Sequence, residues 1–184
     1  AAAHPVRKIR VVEIEEKMLP AARLFGKANN YVLDDSRVTM SINDARNELE
    51  FSAADYDVII SDATHPGTAD SWILYTEEFY RLCRDRLRPG GMMAQWLPLH
   101  GLSPEDHRII LRTFRQAFPH ATLWLTRGYS ILLATPERLK VDYEQLAERL
   151  GRDEVEASLF EVDLNDPASF LSALALDEEA YADY

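Results

Sequence analysis

Residues 56–66 read YDVIISDATHP, and this stretch decides the architecture. A strand over Tyr56–Ser61 stops at Asp62, and the following ATHPGTADS (63–71) breaks regular structure with Pro, Gly, Thr and Ser. The pattern is a strand whose carboxyl end opens into a loop, with a carboxylate at the junction.

The same unit occurs twice upstream. Ile9–Ile14 (IRVVEI) is apolar apart from Arg10 and Glu13 and suits a strand buried on both faces. Glu15–Gly26 follows with Met18, Leu19, Ala22 and Phe25 at helical spacing. Val38, Met40 and Ile42 then alternate with Thr39 and Ser41 as a strand leading to Asp44, and Ala45–Phe51 reads as a short helix. Downstream, Thr76 caps a helix to about Leu87 that Pro89, Gly90 and Gly91 end, and Met92–Leu97 is a fourth strand. Ser103, Pro104 and Asp106 open the next helix as cap, first-turn proline and capping carboxylate. Ala121–Thr126 and Tyr129–Thr135 flank Arg127 and Gly128 as an antiparallel hairpin closing the sheet edge. Asp142–Leu150 and Asp166–Leu176 are two further helices, each opened by an Asp cap.

Strands alternating with helices predict an α/β domain with a mostly parallel sheet and right-handed crossovers. We divide the chain into a Rossmann-like nucleoside-binding domain over 1–150 and an acidic helical tail over 151–184. Such sheets bind ligands beyond the carboxyl ends of their strands, where Glu13, Asp44 and Asp62 stand in order. Carboxylates there suit a nucleoside, whose ribose diol and adenine amino group are both donors.

Composition narrows the partners. Twenty Lys and Arg against 31 Asp and Glu give a formal charge of −11, which disfavours a nucleic-acid backbone. The lone Cys83 has no disulfide partner and no Cys/His cluster has zinc spacing, which points to a reducing compartment and no metal. No run approaches the about 18 to 20 apolar residues of a membrane span.

Four segments, VVEIEEKMLPAARLF (11–25), RVTMSINDARNEL (37–49), YDVIISDATHP (56–66) and LYTEEFYRLCRDRLRPGGMMAQWLPL (74–99), are similar in order and spacing to the polyamine aminopropyltransferases, the spermidine synthase family. The resemblance is strongest to bacterial members fused to a membrane transporter-like domain. It implies a methyltransferase-type Rossmann-like fold with a C-terminal antiparallel hairpin, here beginning after the first strand and its glycine-rich loop. It implies decarboxylated S-adenosylmethionine as cofactor and putrescine as the usual acceptor amine. It also implies a cytoplasmic domain, tethered to the inner membrane face by an upstream membrane domain in the full-length protein, and a homodimer.

Carried over by position, Glu13 matches the residue at the ribose hydroxyls, and Asp44 with Ala45 matches an Asp-Gly pair at the adenine. Asp62 matches the Asp that takes a proton from the attacking amine, and Ala69 falls near a loop position covering the adenine. His65 replaces a second Asp that grips the diamine, and Gln95 and Tyr129 complete the candidate substrate contacts.

Blander readings stand beside these. Glu13 could face solvent, Asp44 and Asp62 could simply cap the next helix or turn, and Trp96, Tyr75, Tyr80 and Trp124 fit a core. Two other functions share the fold: methyl transfer from S-adenosylmethionine, and an inactive regulatory domain, the latter motivated by His65 and Ala45.

Overall fold

The structure, a computed structural model, describes residues 1–68, 70–126 and 128–184. Strand β1 (Ile9–Glu13) leads through helix α1 (Met18–Leu24) to β2 (Val38–Ile42) and α2 (Ala45–Phe51). Then come β3 (Tyr56–Ser61), α3 (Glu77–Asp85), β4 (Leu87–Pro98), α4 (Pro104–Ala117) and the hairpin β5 (His120–Leu125) and β6 (Tyr129–Thr135). The end of the chain adds α5 (Tyr143–Leu150), α6 (Asp153–Phe160), α7 (Pro167–Ser172), β7 (Leu174–Leu176) and α8 (Glu178–Asp183). The expected α/β architecture is present, with parallel pairs in the first half and antiparallel pairs in the second.

The strands divide between two sheets. β1 and β2 pair in parallel with Ile9 opposite Val38 and Glu13 opposite Ile42. The other five strands lie in the order β3-β4-β6-β5-β7, with β3 and β4 parallel and the rest antiparallel. Among the described residues, β1 and β3 each pair along one edge only. This corrects the expectation that Ile9–Ile14 is buried on both faces: no residue of β1, β2 or α1 is fully buried.

The core lies where α3 and α4 cover the five-stranded sheet. Phe79, Tyr80 and Cys83 of α3 meet Phe114 of α4 and Met93, Leu97 and Leu132 of the sheet, all at most 2% exposed. Tyr80 and Phe114 pack edge to face at 4.9 Å, the arrangement ring quadrupoles favour. α4 starts as its sequence dictates: the Ser103 hydroxyl accepts from the Asp106 amide, and the Asp106 carboxylate accepts in return from the Ser103 amide.

Three boundaries differ from expectation for local reasons. α1 starts at Met18 rather than Glu15, because Glu13 and Glu15 carboxylates accept from the amides two residues on and hold the backbone in turns. Pro89–Gly91 does not separate helix from strand; β4 runs through it with a register shift against β3, and Gly90 has φ +75°. Leu174–Leu176 forms β7 on the edge of the sheet instead of ending a helix, so the hairpin is not the edge. Residues 151–184 therefore contribute a strand, and Tyr181 enters the core with its hydroxyl donating to the Leu111 carbonyl at 3.0 Å.

Candidate functional site

The carboxyl ends of β1, β2 and β3 open onto one cavity of about 550 Å³, and Glu13, Asp44 and Asp62 all line it. That size suits a small-molecule ligand. Its rim is polar, with Asn43, Thr64, Asp70 and Ser71 beside the three carboxylates. Its wall continues along the two strands, with Arg10 and Val12 of β1 and Tyr56, Val58 and Ile60 of β3.

Each carboxylate is positioned by its own stretch of backbone. Glu13 is half-buried, and its Oε1 accepts from the Glu15 amide at 2.9 Å, which turns the side chain back over the strand end. Asp44 is the N-cap of α2: its Oδ1 accepts from the Asn47 amide at 3.0 Å. The capping role and a place on the cavity wall thus coexist in one side chain, and Ala45 beside it also lines the wall. Asp62 is exposed at the mouth, on the first residue after β3.

The other candidates lie elsewhere. His65, Gln95 and Tyr129 are not among the lining residues. The His65 ring bonds to backbone on both sides, and Gln95 is fully buried with its amide nitrogen 3.3 Å from the Ser61 carbonyl and 2.9 Å from the Trp96 carbonyl. Tyr129 pairs with Pro98 across the sheet and its ring lies 6.4 Å from that of Trp96. Ala69 lies outside the described residues.

Glu48 is the polar residue at the cavity that the sequence reading overlooked. It is 7% exposed on α2, accepts from Ser41 Oγ and Asn43 Nδ2 at 3.0 Å each, and ion-pairs with Arg10 across to β1. The Asn43 hydrogen bond, against a smaller opposing effect of burial and with help from Ser41 and Arg10, holds its carboxyl below the ordinary carboxylate range. Its signal was available: a Glu next to Leu49 on the inner face of a short helix, with Asn43 five residues earlier.

The rim is also ordered by hydroxyls. Thr64 Oγ1 and Ser71 Oγ are hydrogen-bonded, and Thr68 Oγ1 donates to the His65 carbonyl at 2.7 Å. Tyr75 is pushed above its ordinary range, chiefly by burial and then by the charge of Asp62, so its hydroxyl is a permanent donor beside that carboxylate. Chemically the site offers anionic acceptors beside apolar side chains, which suits a ligand with several donors and an apolar part. Among the described residues no three His, Cys, Asp or Glu side chains gather as a metal-binding group, and no helix is long and apolar enough to cross a membrane.

The model of the spermine/spermidine synthase domain matches residues 2–129. Polyamine aminopropyltransferase 2 of Pseudomonas aeruginosa is 32% identical over 117 residues, an alignment covering 61% of this chain and 33% of that protein. A spermidine synthase solved in complex with the transition-state analogue AdoDATO superposes with a TM-score of 0.80 at 21% identity, over 99% of this chain and 63% of that one. Human methyltransferase-like protein 13 in complex with SAH has the same fold more distantly, with a TM-score of 0.62 at 20% identity over 83% of this chain and 71% of that one. The chain thus spans a third of the P. aeruginosa relative and just under two thirds of the spermidine synthase.

Proposed function

Because the chain belongs to the spermine/spermidine synthase domain family, we propose that it forms the nucleoside-binding and proton-accepting part of a polyamine aminopropyltransferase. The observation that carries this reading is the meeting of Glu13, Asp44 and Asp62, from three successive strand ends, on one cavity.

The residues present fit decarboxylated S-adenosylmethionine. The cavity has room for a nucleoside, and its acceptors match the donors of a ribose and an adenine. Glu13 would take the ribose hydroxyls through the oxygen turned away from the Glu15 amide. Asp44, with Asn43 beside it, would face the adenine end. When bound, the cofactor supplies an aminopropyl carbon activated by the adjacent sulfonium, whose sulfur departs as a neutral thioether.

Asp62 would act on the other reactant. A polyamine such as putrescine is cationic and inert as a nucleophile until one nitrogen loses its proton. A carboxylate at the mouth first attracts the ammonium and then accepts that proton as the nitrogen attacks, which joins binding and base catalysis in one group. The acidity of the whole rim, with Asp70 close by, favours an approaching cation.

The test is direct. Protein incubated with decarboxylated S-adenosylmethionine and putrescine should yield spermidine and methylthioadenosine in equal amounts. Absence of both products, with the nucleoside nonetheless bound, would leave a binding domain and end the transferase reading.

A further inference from the structure

The segment bearing Asp62 is held from behind by side chains that do not touch the cavity. Tyr75 is 6% exposed, and its hydroxyl lies 3.2 Å from the Thr64 carbonyl and 3.4 Å from those of Ala63 and Trp96. One step back along the strand, the buried amide of Gln95 donates to the Ser61 carbonyl at 3.3 Å. His65 makes the third attachment. Its Nδ1 accepts from the Gly67 amide and its Nε2 lies against the His100 carbonyl, both at 3.0 Å.

Those two contacts require a single protonation state. A carbonyl only accepts, so Nε2 carries the hydrogen; an amide only donates, so Nδ1 is bare. The imidazole is thus a neutral two-ended strut from the loop after β3 to the turn after β4. The backbone opposite is shaped to admit it: Gly101 has φ +73°, and a Cβ there would stand 2.8 Å from His65 Nε2. His65 and Tyr75 therefore both tie to the end of β4 and the turn after it a loop whose Asp62 and Thr64 line the cavity.

We propose that His65 and Tyr75 are positioning residues that clamp the Asp62 loop at the cavity mouth. The proposal rests on the reading of Asp62 as the proton acceptor, because a base must sit within hydrogen-bond reach of the proton it takes, and small misplacements are costly. It gives His65 a task other than substrate contact: both ring nitrogens are spent on backbone.

The experiment compares wild-type protein with Tyr75→Phe, His65→Ala and His65→Asn. Tyr75→Phe removes only a hydroxyl. His65→Asn keeps an acceptor near the Nδ1 position but loses the donor to His100, whereas His65→Ala loses both. Amide exchange over residues 63–68, read by mass spectrometry, should quicken about fivefold for each bond lost, with the α4 amides unchanged. Aminopropyl transfer should fall at least as far in kcat with KM for the donor constant, and His65→Asn should recover part of what His65→Ala loses.

Unaltered exchange in His65→Ala and Tyr75→Phe would overturn the clamp. Faster exchange with undiminished kcat would overturn the positioning role. If wild-type protein transfers no aminopropyl group, the proposed reaction falls, while the exchange measurement still decides whether the clamp exists.

Discussion

Replacing Glu13 by Gln isolates the charge of one cavity carboxylate while preserving its shape. The carboxylate already spends Oε1 on the Glu15 amide at 2.9 Å, a bond that a glutamine oxygen retains, so the local turn should survive. The change falls on the second oxygen, which becomes an amino group facing the ribose hydroxyls. A hydrogen bond to a charged acceptor contributes about 1.5–3 kcal/mol and a neutral one about 0.5–1.5 kcal/mol, so the loss is about 1.5 kcal/mol. Glu13 is half-buried and partly screened by water, which argues against a larger figure. That energy corresponds to about a tenfold weaker Kd for methylthioadenosine by isothermal titration calorimetry. The thermal midpoint without ligand should stay within about a degree of wild type, since among the described residues the replaced charge makes no ion pair. A Kd within twofold of wild type would remove Glu13 from the site and with it one leg of the three-carboxylate reasoning.

Asp62→Asn should lower aminopropyl transfer by about 100-fold or more with little change in nucleoside Kd, measured by product formation and calorimetry, and near-normal turnover would exclude Asp62 as the base. S-adenosylmethionine and its decarboxylated form should differ in Kd in favour of the latter; tighter binding of the carboxylated form would favour methyl transfer. Glu48 is ionised more readily folded than unfolded, so its contribution to stability is complete above its ordinary value of 4.5 and is lost as pH falls below it. The thermal midpoint of Glu48→Gln should accordingly decline less steeply than wild type below pH 4.5. Tyr181→Phe removes the hydroxyl that donates to the Leu111 carbonyl and should cost about 1 kcal/mol, seen as a midpoint about 2–4 °C lower by calorimetry.

Where local rules and burial agree, the sequence was readable. The Ser103–Asp106 capping box and the Thr76 and Asp142 caps describe short-range bonds, and each stands where its pattern put it; the strand Val38–Ile42 is also in place, although Ile42 is exposed. The convergence of Glu13, Asp44 and Asp62 came from topology, since a parallel arrangement brings successive strand ends to one side. Gln95 shows where such reasoning stops: it faces the same way as the strand-end carboxylates, but it is fully buried with its amide nitrogen on the Ser61 and Trp96 carbonyls. His65 is held differently. Its ring is claimed by an amide two residues ahead and a carbonyl 35 residues ahead, and only the second partner lies beyond local inspection. β7 was hidden because three residues, Leu174–Leu176, are too few to display a period, and they are a strand only because β5 offers an edge.

The binding site is divided between the two sheets. Glu13 ends a strand of the two-stranded sheet and Asp44 caps α2, whose Leu49 packs into the core, whereas Asp62 comes directly after a strand of the five-stranded sheet. A ligand touching all three carboxylates would bridge the two sheets at their strand ends.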